Sequence, residues 1–317
     1  MIQWSIKVDN KEFVIETGAV TILKSARWEW FTLIRHIHDF FDSKNSPVEI
    51  FEDTQPLYKK DWECLFIPFD AEIELTKMTS KSPLKPLADE LIGKLTSSPL
   101  FYNLTTLWDE LAEELDVLSN NLGEYGLKAT FFPLTEDDLK KYLVFQPIKE
   151  QMAPFDFKMM LLKLFANKFI DKKRLVILEL PELYCNEANI KSLHSVIRKY
   201  ADKGIKFILV TDINVEGNKN FMIHDKIINQ ASFETIKRKI INALPFACDD
   251  ELYVKAVNYT MEAVDNSMNV YHIIEKSFEV SEALAILIYT MFKELGIQIS
   301  LDKSRFSNNI QSFLDAS

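Results

Sequence analysis

The turn between the first buried strand and the first helix constrains this chain more than any other feature. Residues 20–24 have the apolar pattern of a buried strand, and residues 28–41 that of an amphipathic helix. The turn between them, Lys24-Ser25-Ala26-Arg27, contains no glycine. A phosphate-binding turn needs glycines there, so that backbone N–H groups can approach the phosphates. We therefore expect the frame of a nucleotide-binding α/β protein without its phosphate loop.

Two later segments complete an α/β pattern. Leu175–Leu178 and Phe207–Val210 are continuous apolar runs, which are typical of parallel strands buried on both faces. Residues 188–201 between them have helical spacing and end at Lys203-Gly204, a common helix stop. Strand, helix and strand of these lengths predict a βαβ crossover.

The remaining pattern divides the chain into three parts. Leucine stripes at helical spacing fill the middle of the chain, and helical spacing returns near its end. We predict a discontinuous α/β head at 1–75 and 171–231, an inserted α-helical leg at 76–170, and an α-helical C-terminal domain at 232–317. A length of 317 residues agrees with two or three domains.

Composition excludes several classes of protein. The three cysteines are isolated, which argues against a disulfide framework or a zinc site and predicts a cytoplasmic protein. No stretch approaches the roughly 18 apolar residues of a membrane span. The first residues lack a charged region followed by an apolar run, so we expect no signal peptide.

Charge is distributed unevenly, although the net charge is −10. Residues 101–124 carry acids and no base, whereas residues 158–174 carry six bases and one acid. A basic strip can bind DNA phosphates on an acidic protein if the acids face elsewhere, but it can equally be a solvated helix face. The candidate DNA-binding residues are Lys158, Lys163, Lys172, Lys173, Lys140 and Lys141.

Acidic residues suggest a weaker candidate site. Glu136-Asp137-Asp138 could hold calcium, which prefers several oxygen ligands, or could simply favour a helix N-terminus. The strand at residues 175–178 also runs into Glu179 and Glu182, where an ATPase carries acids for magnesium and water. Leu180-Pro181 separates these two acids, so we expect no catalytic residue here, and none among the five histidines.

The order and spacing of these segments resemble a known family. Met1-Ile2 with its hairpin, Val48–Glu52, Phe157–Leu162 and Lys172–Leu178, leading into Phe207–Val210, are the residues that carry the likeness. The chain resembles the type II-A CRISPR-associated protein of spacer acquisition, the Csn-two family, in its long form with a C-terminal extension. The likeness covers roughly residues 1–230.

The resemblance implies a specific function in antiviral defence. It implies a degenerate ATP-binding-cassette or P-loop-like head without a Walker A loop, a helical leg and no enzymatic activity. It further implies a homotetrameric ring whose basic channel holds double-stranded DNA, preferentially at free ends, with calcium in some members. The implied partners are the CRISPR integrase complex and the RNA-guided effector nuclease.

Two alternatives from other functional classes stay open at this stage. One is an ATPase with an unorthodox phosphate loop at Lys24–Arg27. The other is a protein–protein adaptor whose acidic helices bind partners without direct DNA binding.

Overall fold

The protein is an α/β head with helical parts, as the sequence predicts. The computed structural model describes residues 2–9, 11–25, 27–71, 82–146, 148, 152–168, 171–223, 226–265, 281–297, 304 and 306–316. The chain divides into two compact units, one formed by Met1–Phe69 with Ile170–Ser317 and the other by Asp70–Phe169. The structure thus groups the last helices in the same unit as the two strand-rich segments.

The first unit begins with a small antiparallel sheet. Its strands are β1 (Ile2–Val8), β2 (Lys11–Thr17), β4 (Glu49–Glu52) and β5 (Gln55–Pro56), in the order β2-β1-β4-β5. Strands β1 and β2 form the predicted hairpin, and Asp9 in its turn has a φ of +46°. Alternate side chains of β1, from Trp4 to Val8, are buried, so one face of this sheet belongs to the core.

The larger sheet has six strands and is mostly parallel. The strands are β3 (Val20–Lys24), β6 (Trp62–Ile67), β7 (Lys173–Glu179), β8 (Ile205–Thr211), β9 (Asn218–Ile223) and β10 (Lys226–Ile228). Their order is β10-β9-β3-β8-β7-β6, and only β10 runs antiparallel to its neighbour. Helix α6 (Glu187–Ala201) connects β7 to β8 and confirms the predicted crossover.

Helix α1 (Trp28–Asp42) packs into the same core as the two sheets. Trp30, Leu33, Ile34 and Ile37 are buried at the spacing of one helix face. The indole N–H of Trp30 donates to the backbone oxygen of Lys24 at 2.9 Å, which ties the helix to the end of β3. The start of α1 is therefore fixed next to the edge where the parallel strands end.

Strands β9 and β10 were not predicted from the sequence, because their first residues are polar. Asn220 on β9 is fully buried, and its side chain accepts the backbone N–H of Glu16 at 2.7 Å and donates to the backbone oxygen of Glu16 at 2.9 Å. These contacts satisfy an amide that would be costly to bury alone. A buried asparagine that bonds to neighbouring backbone has no apolar signature, so the pattern resembled a loop.

Four helices follow β10 among the described residues of the same unit. They are α7 (Gln230–Ala243), α8 (Asp250–Asp265), α9 (Glu282–Glu294) and α10 (Asn308–Ala316). The helical spacing predicted near the end of the chain is confirmed on α9, where Leu284, Ile288, Met291 and Phe292 are fully buried at that spacing. These helices share a hydrophobic core that also includes Phe233 and Tyr253.

The described regular elements of the second unit are helices. It contains α2 (Lys85–Thr96), α3 (Pro99–Leu118), a 3-10 segment at Ser119–Tyr125, α4 (Glu136–Tyr142) and α5 (Pro154–Asn167). Ser98 caps the start of α3, where its hydroxyl accepts the N–H of Phe101 at 3.3 Å. Across the described residues, no helix is long and apolar enough to cross a membrane.

Candidate nucleic-acid interface and the strand edge beside it

Ligands of open α/β sheets bind where parallel strands end, so this edge decides whether a nucleotide site exists. Lys24, Glu179 and Thr211 end strands β3, β7 and β8 and lie at the same edge of the larger sheet. Their segments, 24–25, 179–183 and 211–213, contain no glycine. The edge therefore lacks the backbone approach that a phosphate cradle requires.

The ammonium group of Lys24 is directed at the protein backbone. Lys24 is only 8% exposed, and its Nζ donates to the backbone oxygens of Asp212 at 2.8 Å and Ile213 at 3.1 Å. Ser25 follows with a φ of +75°, and its N–H donates to the backbone oxygen of Thr211 at 3.1 Å. These contacts close the short turn where a phosphate loop would otherwise begin.

The buried carboxylate of Glu179 is held by an arginine from α1. Glu179 is 2% exposed, and Arg35 Nη2 donates to its Oε1 at 2.8 Å and its Oε2 at 3.1 Å. Arg35 Nη1 also donates to the backbone oxygen of Phe31 at 2.9 Å, which fixes the guanidinium. An acid held in this way is compensated inside the protein and needs no metal ion to balance its charge.

Glu182 connects the loop after β7 to the end of β8. Its Oε2 accepts the Thr211 hydroxyl at 2.9 Å, and its Oε1 accepts the N–H of Asp212 at 2.8 Å. Leu180, before it, has a φ of +40°, and its N–H donates to the backbone oxygen of Val210 at 2.9 Å. Both acids of the predicted acidic strand therefore act as internal hydrogen-bond acceptors.

The predicted calcium ligands occupy the first turn of α4. Asp138 Oδ2 accepts the N–H of Thr135 at 3.0 Å and its hydroxyl at 2.7 Å, while Asp138 Oδ1 contacts Lys141 Nζ at 2.8 Å. Hydrogen bonds from Lys141 and Thr135 lower the pKa of Asp138 to about 2. Glu136 and Asp137 lie beside it, and among the described residues no group of three or more His, Cys, Asp or Glu is arranged to hold a metal. The helix-start interpretation thus has specific contacts, whereas calcium binding stays a prediction.

Three of the predicted DNA-binding lysines are exposed. Lys163 lies on α5, whereas Lys172 and Lys173 stand at the start of β7. Lys173 Nζ lies 5.4 Å from the centroid of the Trp62 ring on β6. Lys172 and Lys173 thus mark the edge of the large sheet where the parallel strands begin, opposite the closed edge.

The other three predicted lysines have different surroundings. Lys158 is buried, at 3% exposure, within the same face of α5 as Phe157 and Leu161, so its assignment to a solvated basic strip is wrong. The charge of Lys158 predicted an exposed side chain, but the long apolar stem of a lysine can be buried beside an apolar helix face. Lys140 is held by Asp89 at 3.0 Å, and Lys141 by Asp138, so their charges are partly neutralised.

Lys206 is a basic residue near the same strand edge that sequence reasoning missed. Its Nζ lies 2.9 Å from Glu52 Oε2 and 5.5 Å from the ring centroids of both Trp4 and Trp62. Burial opposes ionisation of Glu52, but hydrogen bonds from Trp4 and Lys206 hold its pKa below the usual range. A single lysine at the start of a strand gives no sequence signal that could have identified this cluster.

Comparisons with known proteins extend these observations. No protein-family model and no curated protein sequence matches the chain. Among solved structures, Stu0660 of Streptococcus thermophilus is similar over 98% of this chain and 99% of its own, with a TM-score of 0.57 and 12% identity.

Two further structures are similar over part of this chain. The ATP-binding cassette MJ1267 of an ABC transporter, in its ADP conformation, matches 72% of this chain and 89% of its own, with a TM-score of 0.36 and 14% identity. The SmcHead bound to the C-winged helix domain of ScpA matches 74% and 98%, with a TM-score of 0.39 and 13% identity. The full-length likeness shows that this chain shares the fold of Stu0660.

Proposed function

We propose that this protein is a non-catalytic, ring-forming protein that binds double-stranded DNA, preferentially at free ends, during spacer acquisition in CRISPR adaptive immunity. The proposal assigns the chain to the Csn-two family on the sequence resemblance. Under this proposal, the protein acts in the cytoplasm, and its partners are the CRISPR integrase complex and the RNA-guided effector nuclease.

The closed strand edge is the observation that carries this proposal. Lys24 is bound to backbone oxygens and Glu179 to Arg35, so the lysine and the acid that an ATPase would use are both engaged within the protein. Opening the site would leave the buried Glu179 carboxylate without the half-exposed arginine that compensates its charge, which is unfavourable. Because this lysine and this acid are both engaged within the described part of the head, we favour a binding function over hydrolysis.

The exposed lysines support the DNA-binding part of the proposal. Lys163, Lys172 and Lys173 offer ammonium groups that contact phosphates without reading sequence. Such contacts are individually weak, but copies of these lysines around a ring would act together and raise the overall affinity. Binding of this kind is expected to fall steeply with salt.

Helix α3 supports self-association. This 20-residue helix has no buried residue, and it carries a leucine stripe in which five members are at least 41% exposed. The exposed leucines are Leu100, Leu104, Leu107, Leu111 and Leu118. Acids at residues 109–116 lie mostly on the other side of the helix by the 3.6-residue period. An exposed apolar stripe of this length is typical of a surface that pairs with another chain.

Fluorescence anisotropy of a labelled linear duplex tests the proposed function. We expect saturable binding. The logarithm of the binding constant should fall linearly with the logarithm of the salt concentration. The adaptor alternative predicts no salt-sensitive binding at all, and that result would overturn DNA binding. The ATPase alternative predicts calorimetric ATP binding that is lost in Lys24→Ala.

A further inference from the structure

An apolar groove lies between the outer face of α1 and the loop that follows β7. Its volume is about 540 Å³, within the range of specific binding pockets. Six residues form most of its lining: Trp28, Phe31, Arg35, Phe69, Leu180 and Leu183. We propose that this groove is a docking site for an uncharged aromatic side chain presented by a partner protein. The inference goes beyond the proposed DNA-binding function and does not depend on it.

The groove favours an uncharged occupant, because the charged groups that line it already compensate each other. Arg35 is half exposed there, but both oxygens of Glu179 already accept from its Nη2. A charged occupant would therefore lose water without gaining a free counter-charge, which is unfavourable in apolar surroundings. An acidic or basic anchor is disfavoured for the same reason.

Aromatic rings in the wall select an aromatic occupant. Trp28, Phe31 and Phe69 all line the groove. Aromatic pairs gain from offset or edge-to-face packing beyond the area that they bury. Arg35 is also restrained, with its guanidinium carbon 5.9 Å from the centroid of the Phe66 ring, so little side-chain freedom remains to be lost on binding.

The rim of the groove favours a protein partner over a free small molecule. Trp28 is 67% exposed and Leu183 is 37% exposed, so apolar surface extends beyond the cavity itself. Tyr184, the next residue, is 71% exposed. A partner side chain in the cavity, with its backbone across this rim, would cover all three residues. Trp28, Tyr184 and Arg35 are also of the residue types that dominate protein interfaces.

The backbone of the loop supports a binding role. Leu180 has a φ of +40° and Tyr184 has a φ of +64°, a left-handed conformation that is uncommon for residues other than glycine. The N–H of Leu183 donates to the backbone oxygen of Leu180 at 3.1 Å, which helps to hold the loop. Strained backbone held in place in this way clusters at ligand clamps.

Selection from a phage-displayed library of random peptides tests the proposal on the full chain without DNA. Wild type and Leu183→Glu would be used as separate targets, with Val14→Glu as the control because Val14 is equally exposed, at 38%. We expect peptides with an aromatic residue to be enriched on wild type and on the control. The resynthesised peptides should bind Leu183→Glu about tenfold more weakly, and lose binding when their aromatic residue becomes alanine.

Three results would overturn the proposal. The first is recovery of no peptide, and the second is enrichment of peptides that lack an aromatic residue or bind Leu183→Glu as well as wild type. The third is binding of free N-acetyl-phenylalanine amide as tightly as the peptides, which would indicate a small-molecule site instead. Equal melting temperatures of Leu183→Glu and Val14→Glu would exclude misfolding as the cause of weaker peptide binding. DNA binding is measured separately, so that failure of this proposal can be told apart from failure of the proposed function.

Discussion

Arg35 on α1 and Glu179 at the end of β7 form an ion pair, with one guanidinium nitrogen 2.8 and 3.1 Å from the two carboxylate oxygens. The pair lies at the edge of the larger sheet where the parallel strands end. Glu179 is almost completely buried, and Arg35 is half exposed at the groove described above. The first helix therefore supplies internally the positive charge that a bound cation would otherwise provide.

Removing the arginine should destabilise the head. We expect Arg35→Leu to lower the free energy of unfolding by about 3 kcal/mol, because it leaves a buried carboxylate without its partner. The double variant Arg35→Leu/Glu179→Leu should recover most of this loss, since the unpaired charge is then absent. Urea unfolding followed by circular dichroism measures both. A single variant as stable as wild type would show that the pair does not hold this edge.

Nucleotide binding should be absent, for the same structural reason. Titration calorimetry with ATP and magnesium at millimolar concentration should show no binding heat for wild type. Lys24→Ala should lower the melting temperature, because the ammonium links the end of β3 to the backbone after β8. ATP binding that disappears in Lys24→Ala would instead support the ATPase alternative.

Reversal of the exposed lysines should weaken DNA binding. For the triple variant Lys163→Glu/Lys172→Glu/Lys173→Glu, the slope of the logarithm of the binding constant against the logarithm of salt concentration should become shallower by about 3 for each protomer that contacts DNA. This is close to one unit for each lost phosphate contact. Lys255→Glu is the control, since Lys255 is exposed on α8 and is not one of the predicted DNA-binding lysines.

Two comparisons keep this prediction falsifiable. Lys140→Glu/Lys141→Glu should have a smaller effect for each lysine, because both ammonium groups are paired with carboxylates. Size-exclusion chromatography should show the same oligomer for every variant. A triple variant that binds like wild type would contradict the assignment of these lysines.

The start of α4 should depend on pH in a defined range. The pKa of Asp138 is lowered to about 2 from an ordinary 3.8, so its ionised form stabilises the folded state. That stabilisation is present above about pH 4 and is lost as the pH falls through the folded pKa. Carboxyl resonances followed by NMR should show a midpoint near 2 for Asp138, and Asp138→Asn should remove that titration. A midpoint at the ordinary value would exclude the capping contacts.

The sequence predicted the parallel core well because its chemistry is local. Strands β7 and β8 are continuous apolar runs, and the helix between them has a clear spacing and stop, so the crossover followed directly. The absence of glycine in the turn after β3 is equally local, and it predicts that no phosphate cradle forms there. Each of these features depends on neighbouring residues alone.

Features that depend on distant partners could not be predicted. Arg35 and Glu179 are 144 positions apart, and Asn220 reaches Glu16 across 204 positions. Lys158 was placed on a solvated face because charge suggested exposure, whereas packing buries it. A side chain's role in these cases is decided by which elements fold beside it, and helical or strand periodicity carries no information about that.

A competition between two forms of one DNA tests the central proposal most directly. The protein would first bind a labelled linear duplex, and an unlabelled covalently closed, relaxed minicircle or the same minicircle cut once would then be added. We predict that the cut form displaces the labelled duplex while the closed form competes far less, because a closed ring cannot pass onto a circle without an end. Equal competition by the two forms would contradict loading of a closed ring from free ends.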